Sequence, residues 1–213
     1  MTDAVIKLLL AYLLGSVSGS LLLGRLRHVD IRTMGSGNAG GTNALRTQGF
    51  WFALLVVIID VGKGWLAAYW LPGLELPAVA AEFTGYQASL VCGFGAVLGH
   101  CYPVFYGFRG GKGIATLMGA LLAAAIWCMP LFMLTFIGVV LLTGYVGLGS
   151  VLATLSLLPS MVLLGPEPLP NGYWIFAVVL AVFVIFTHRS NLINMKRGEE
   201  HRFEQVMIRN WFK

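Results

Sequence analysis

Residues 109–147 read RGGKGIATLMGALLAAAIWCMPLFMLTFIGVVLLTGYVG, a basic glycine loop that passes at Ile114 into an apolar run with no charged residue. How often this run crosses a bilayer decides the fold. As one helix, residues 114–147 would extend roughly 50 Å at about 1.5 Å per residue, against a hydrocarbon core of about 30 Å. Pro130 interrupts the run, because proline lacks the N–H a helix interior needs and its ring clashes with the preceding turn. Residues 114–129 and 131–147 are therefore expected as two spans, with a turn at Pro130.

Further apolar runs occupy residues 4–24, 51–71, 88–103, 150–165 and 173–187. Gly147-Leu148-Gly149-Ser150 reads as the turn before the sixth span. Of the 213 residues 58% are apolar and only 11% charged, which excludes a soluble globular domain. The net charge of +5 does not indicate nucleic acid, because the basic residues gather at the ends of apolar runs. Arg25, Arg27, Arg32 and Arg46 follow the first run. Arg109 and Lys112 follow the third, and Arg189, Lys196, Arg197, Arg202, Arg209 and Lys213 form the tail. The loops 72–87 and 166–172 hold only Glu75, Glu82 and Glu167. The positive-inside rule places the first group in the cytoplasm and the second outside.

Lys112 and His188 then lie on the same side, so the chain between them crosses an even number of times. Four crossings fit the lengths. The expected fold is an all-α, polytopic membrane protein of seven transmembrane helices in one domain, residues 1–213, with its N-terminus outside and its C-terminus cytoplasmic. Residues 4–24 read as a span rather than a cleaved leader, because Asp3 and Lys7 stand at its start and the run continues through Leu23. Cys92, Cys101 and Cys128 are odd in number, lie in or beside apolar segments and form no C-x-x-C pair, so neither a disulfide frame nor a metal site is expected.

Function then falls to the loops. Arg109-Gly110-Gly111-Lys112-Gly113 combines glycines, a helix start and two cations, the ingredients of an anion seat. It is not a nucleotide P-loop, which needs Ser or Thr after the lysine where this chain has Gly113. Gly35-Ser36-Gly37-Asn38-Ala39-Gly40-Gly41-Thr42-Asn43-Ala44-Leu45-Arg46 can fold its N–H groups and hydroxyls into a second anion nest, with the arginine gripping phosphate. No His or acid accompanies Ser36 in sequence and no G-x-S-x-G elbow is present, which argues against a nucleophilic serine. His100 ends the third span, as helix cap or as site residue. His188-Arg189-Ser190-Asn191, with Gly198-Glu199-Glu200-His201-Arg202 behind it, adds acid–base and hydrogen-bonding capacity. All these clusters fall on the cytoplasmic side, and their convergence is expected. Lys63 is roughly 12 residues into its span, about 18 Å at 1.5 Å per residue, and is expected to serve structure by pairing with Asp60 out of reach of a surface substrate.

Gly35-Ser36-Gly37-Asn38-x-Gly-x-Thr42-Asn43, Gly110-Gly111-Lys112-Gly113-x-Ala115-Thr116 and His188-Arg189-x-Asn191 resemble the three cytoplasmic motifs of the PlsY family. These are bacterial acyl-phosphate:glycerol-3-phosphate acyltransferases of the inner membrane. The resemblance covers nearly the whole chain, including Asp60-x-x-Lys63-Gly64, and departs at Gly41, usually alanine, and at Asn194, where arginine is common. It implies acyl phosphate and glycerol 3-phosphate as substrates at a lipid bilayer, with no cofactor and no obligatory protein partner. The catalytic residues implied are Ser36, Arg46, Lys112, His188 and Asn191. Substrate and phosphate contacts are implied for Gly35, Gly37, Asn38, Thr42 and Asn43 in the first motif, for His100, Gly110, Gly111, Gly113 and Thr116 in and before the second, and for Arg189 and Glu200 near the third. The His-x-x-x-x-Asp of other glycerol-phosphate acyltransferases is absent, since none of His28, His100, His188 and His201 has Asp five positions on. A transporter or flippase for a phosphorylated metabolite is the alternative.

Overall fold

The computed structural model describes residues 3–75 and 85–210, and no strand occurs among them. Glu82 and Lys213, two charges used to orient the chain, lie outside the described residues. Two compact units are present, Met1–Ile126 and Trp127–Lys213.

In the first unit the leading apolar run is a broken helix, α1 (Asp3–Gly15) and α2 (Gly19–Leu26), bent by 42° at Ser16–Ser18. A break inside an apolar segment strands backbone groups that lipid cannot satisfy, so partners must come from elsewhere in the protein. Asp3 and Lys7, which marked the run as a span, form a buried ion pair of 3.0 Å whose ammonium also donates to the Pro72 carbonyl at 2.9 Å. Next come α3 (Gly41–Gln48) and α4 (Phe50–Tyr69), joined at Gly49. Two further helices follow, α5 (Gly85–Cys101) and α6 (Ile114–Ala124). Glycines let these helices touch backbone to backbone. A Cβ on Gly15 would strike Ala96, one on Gly64 the Thr116 carbonyl, and one on Gly119 the Val61 carbonyl. Such small-residue contacts are how helices associate where water supplies no driving force.

α5 sets the levels of its neighbours. Its Gly93 faces Ala68 and Ala120, while its last turn meets Lys63 through His100 and Gly113 through Val97 and Cys101. α4 and α6 therefore both run against α5, and α6 begins level with the middle of α4. The span expected at 114–129 is only an 11-residue helix, because the glycine loop before it occupies that depth.

The first unit's last helix ends at Ala124, and in the second unit α7 (Met129–Thr143) carries Pro130 in its first turn, where a missing N–H costs nothing. A single helix over 114–147 is thereby excluded. The turn expected at Gly147–Ser150 is instead helix. α7 ends at Gly144, whose φ of +75° suits glycine, and α8 (Val146–Leu155) runs through Gly147 and Gly149. Those two glycines make close packing, Gly147 against Asn191 and Gly149 against Phe136. α9 (Leu157–Leu164), α10 (Asn171–Thr187) and α11 (Arg189–Arg197) complete the unit, with bends of 41° between α8 and α9 and 52° between α10 and α11.

Among the described residues, three helical stretches are long and apolar enough to cross a membrane, Phe50–Gly73, Gly85–Tyr106 and Ile126–Thr143, or up to six if each bent pair is one span, with α6 a shorter apolar helix beside them.

Candidate active site

The first motif is a loop braced from inside. Gly35 and Gly37 take positive φ of 55° and 72°, which lets the chain reverse tightly in front of α3. Asn43, expected among the phosphate contacts, is buried. It accepts from the Ser36 N–H at 3.0 Å and donates to the Ile31 and Met34 carbonyls at 3.1 and 3.0 Å. Its amide is thus committed to the loop itself, and the Ser36 N–H expected in an anion nest is already taken. Ser36 is exposed, and Asn38, Thr42 and Arg46 are half-buried around the start and outer face of α3.

Arg32, assigned to topology in the sequence, turns out to tie two loops together. Its guanidinium pairs with Asp30 at 2.8 Å and donates to the Tyr106 carbonyl at 2.9 Å. Arg25 stacks on the Tyr106 ring with its guanidinium carbon 4.6 Å from the centroid. The hydrogen bond from Arg32 holds the Asp30 carboxyl below its usual range and raises Arg32 in turn.

The second motif is pinned to the end of α5. Gly110 donates to the Cys101 carbonyl and Gly111 to the His100 carbonyl, both at 3.1 Å. Those two N–H groups are therefore not offered to an anion, and the seat reduces to the cations and the first turn of α6, whose N–H groups lack intrahelical partners. Gly113, with φ of +87°, turns the chain into that helix. Thr116 sits in its first turn with its hydroxyl buried and unpartnered among the described residues. Such an orphan costs about 1–3 kcal/mol unless water or a substrate group meets it. The two motifs meet: a Cβ on Gly111 would lie 3.0 Å from the Ala39 carbonyl of the first motif and would strike the His100 imidazole.

Beneath them lies a buried charge cluster. Lys63 Nζ is 2.9 Å from Asp60 Oδ1, 3.0 Å from His100 Nδ1, and donates to the Val17 carbonyl at 2.8 Å. Asp60 Oδ1 also accepts the Gly19 N–H at 3.1 Å and lies 3.4 Å from His100 Nδ1. The pair expected at Asp60 and Lys63 is present, and it satisfies the groups freed by the break between α1 and α2. Its expected remoteness is not borne out. Helix rise alone ignores that α5 and the glycine loop reach down to this level, so one imidazole ring separates the ammonium from Gly111. His100 is accordingly buried on the ion pair rather than exposed at an interface. Sequence signals for this cluster existed in the charges of an apolar span and in the Ser16-Val17-Ser18-Gly19 interruption, but nothing in the sequence joined them to His100.

In the second unit His188 is buried, and its Nδ1 lies 2.9 Å from the Val184 carbonyl. A carbonyl only accepts, so Nδ1 carries the proton and Nε2 is the basic nitrogen. Asn191 donates to Glu200 Oε1 at 2.7 Å. Arg189 is exposed, stacks on Phe186 and donates to the Phe186 carbonyl at 2.8 Å. No three of His, Cys, Asp and Glu gather as a metal would need among the described residues.

Residues 5–198 match the sequence profile of the family described as glycerol-3-phosphate acyltransferase. The chain belongs to that family. Among its relatives, the glycerol-3-phosphate acyltransferase of Aquifex aeolicus is 35% identical over 94% of this chain and 99% of its own. That of Thermus thermophilus is 41% identical over 95% of this chain and 96% of its own. The crystal structure of PlsY (YgiH), an integral membrane glycerol 3-phosphate acyltransferase, superposes in its glycerol 3-phosphate form with a TM-score of 0.81, at 34% identity and covering 95% of this chain and 96% of that one. Its lysophosphatidic acid form gives 0.80 at 33% identity, covering 99% of each. Family membership makes the fold an integral membrane one and the protein an acyltransferase.

Proposed function

We propose that this protein moves a fatty acyl group from acyl phosphate to the 1-hydroxyl of glycerol 3-phosphate, giving lysophosphatidic acid and inorganic phosphate. The observation that carries this reading is the meeting of two glycine-rich motifs at Gly111 and Ala39, with Arg46 and Lys112 on them, since both substrates carry phosphate. Relatives bearing the acyltransferase name, and solved PlsY structures with the acceptor and with the product, support it. An acyl phosphate is a mixed anhydride and already activated. The protein needs to orient the hydroxyl against the carbonyl and stabilise the developing oxyanion, with no covalent acyl-enzyme. The new ester C–O bond forms as the acyl–oxygen bond to phosphate breaks, and the hydroxyl proton goes to an oxygen of the departing phosphate or to His188 Nε2. The roles of His188 and Asn191 rest on their motif. The same reading puts seven spans in a bacterial inner membrane, with the loops on the cytoplasmic side.

The test is Lys112→Ala, purified in detergent. Transfer falls about a hundred- to a thousandfold while the protein melts normally, a loss of the size expected when charge stabilisation is removed from a reacting centre. A folded Lys112→Ala protein with near-normal turnover takes the second motif out of the site.

A further inference from the structure

We propose that Asp60, Lys63 and His100 act as one positioning unit that fixes the glycine loop before α6, and that His100 is the part that touches it. This rests on the acyl-transfer reading above. His100 holds the loop at two points: its carbonyl accepts the Gly111 N–H at 3.1 Å, and its imidazole fills the space where a Gly111 side chain would stand. The ring has no rotational choice of its own, because Nδ1 is held 3.0 Å from Lys63 Nζ and 3.4 Å from Asp60 Oδ1. That pair is itself anchored to the broken first span through the Val17 carbonyl and the Gly19 N–H. The chain of contacts therefore runs from the break between α1 and α2, through two charges and one ring, to the residue beside Lys112. A stabilising ion pair alone needs neither the ring nor a glycine beneath it. The same contacts explain why position 111 is glycine although its φ is not in the left-handed region: a Cβ would strike His100 and crowd the Ala39 carbonyl at 3.0 Å.

A double-mutant cycle tests this in detergent-purified protein, reading kcat/KM for each phosphate substrate beside the melting temperature. His100→Asn keeps a short polar group near Lys63 and withdraws the ring edge from Gly111. Gly111→Ala drives a methyl into that edge. Each single variant is expected to lose at least ~10-fold in kcat/KM for a phosphate substrate while still melting cooperatively. The double variant should exceed Gly111→Ala by at least ~5-fold, because the shorter side chain makes room for the methyl. A merely structural His100 predicts the opposite order, with the double variant no better than Gly111→Ala, and that result overturns the proposal. Should Gly111→Ala fail to fold, His100→Asn decides alone: a tenfold loss with unchanged melting supports the positioning role, and wild-type kinetics sink it. Wild-type protein that makes no lysophosphatidic acid from acyl phosphate refutes the activity instead, so the two failures are distinguishable.

Discussion

Buried polar residues carry most of the argument at the residue scale. Asp60 and Lys63 are both almost wholly enclosed, and removing one partner of such a pair leaves an uncompensated charge that costs about 3–5 kcal/mol. Lys63→Ala is expected to lower the melting temperature sharply, and adding Asp60→Asn to recover part of the loss. Thermal unfolding in detergent checks this, and a double variant less stable than Lys63→Ala would contradict it. The exposed pair of Asp30 and Arg32 behaves differently. Because the folded Asp30 carboxyl titrates below its ordinary value of 3.8, its contribution is complete above that pH and is lost as the pH falls through the lowered folded value. Asp30 is 42% exposed in this pair, so Asp30→Asn costs under about 1 kcal/mol at neutral pH, and its difference from wild type should vanish in acid. Denaturation at pH 7 and at a pH below the lowered folded value measures both. The chemical types of Ser36, Arg46 and Lys112 were legible in the sequence as anion-seeking groups. The part of Asn43 was not, because an asparagine that braces a loop and one that binds phosphate have the same letter. Only the three backbone groups around it decide.

At the scale of elements, glycine was the ambiguous letter. Gly147 and Gly149 read as a turn, yet they are helical positions chosen for close approach to Asn191 and Phe136, while the turn is made three residues earlier at Gly144. The break in the first span is hard to read for the converse reason, since Ser16-Val17-Ser18 is small and uncharged and so passes for helix. Its partners lie more than forty positions away on α4. Two glycines two residues apart on α4 give a direct test. A Cβ on Gly62 meets nothing within 4 Å, so Gly62→Ala should be neutral or stabilise by up to about 1 kcal/mol through helix propensity. A Cβ on Gly64 would strike the Thr116 carbonyl, so Gly64→Ala must part α4 from α6 and should cost about 1–3 kcal/mol. Equal melting temperatures for the two variants would mean that the helices are not in backbone contact there.

For the whole molecule, helical class and membrane character followed from composition and from the length of residues 114–147, because apolar periodicity and bilayer thickness are properties a sequence carries by itself. Depth did not follow. An 11-residue α6 that starts level with the middle of α4 cannot be told from a full span by counting apolar letters. Orientation is testable by cysteine accessibility, with low background because Cys92, Cys101 and Cys128 are buried. Cysteines at Glu75 and Glu167 should be labelled from outside and those at Arg27 and Lys196 only from the cytoplasm; reversed labelling overturns the orientation. The most direct measurement of the central claim offers acyl phosphate and acyl-CoA side by side to the purified protein with glycerol 3-phosphate, in detergent, with no sealed compartment. The account predicts lysophosphatidic acid from acyl phosphate alone, with inorganic phosphate released one for one. Product from acyl-CoA at a comparable rate, or glycerol 3-phosphate bound without any transfer, would contradict it.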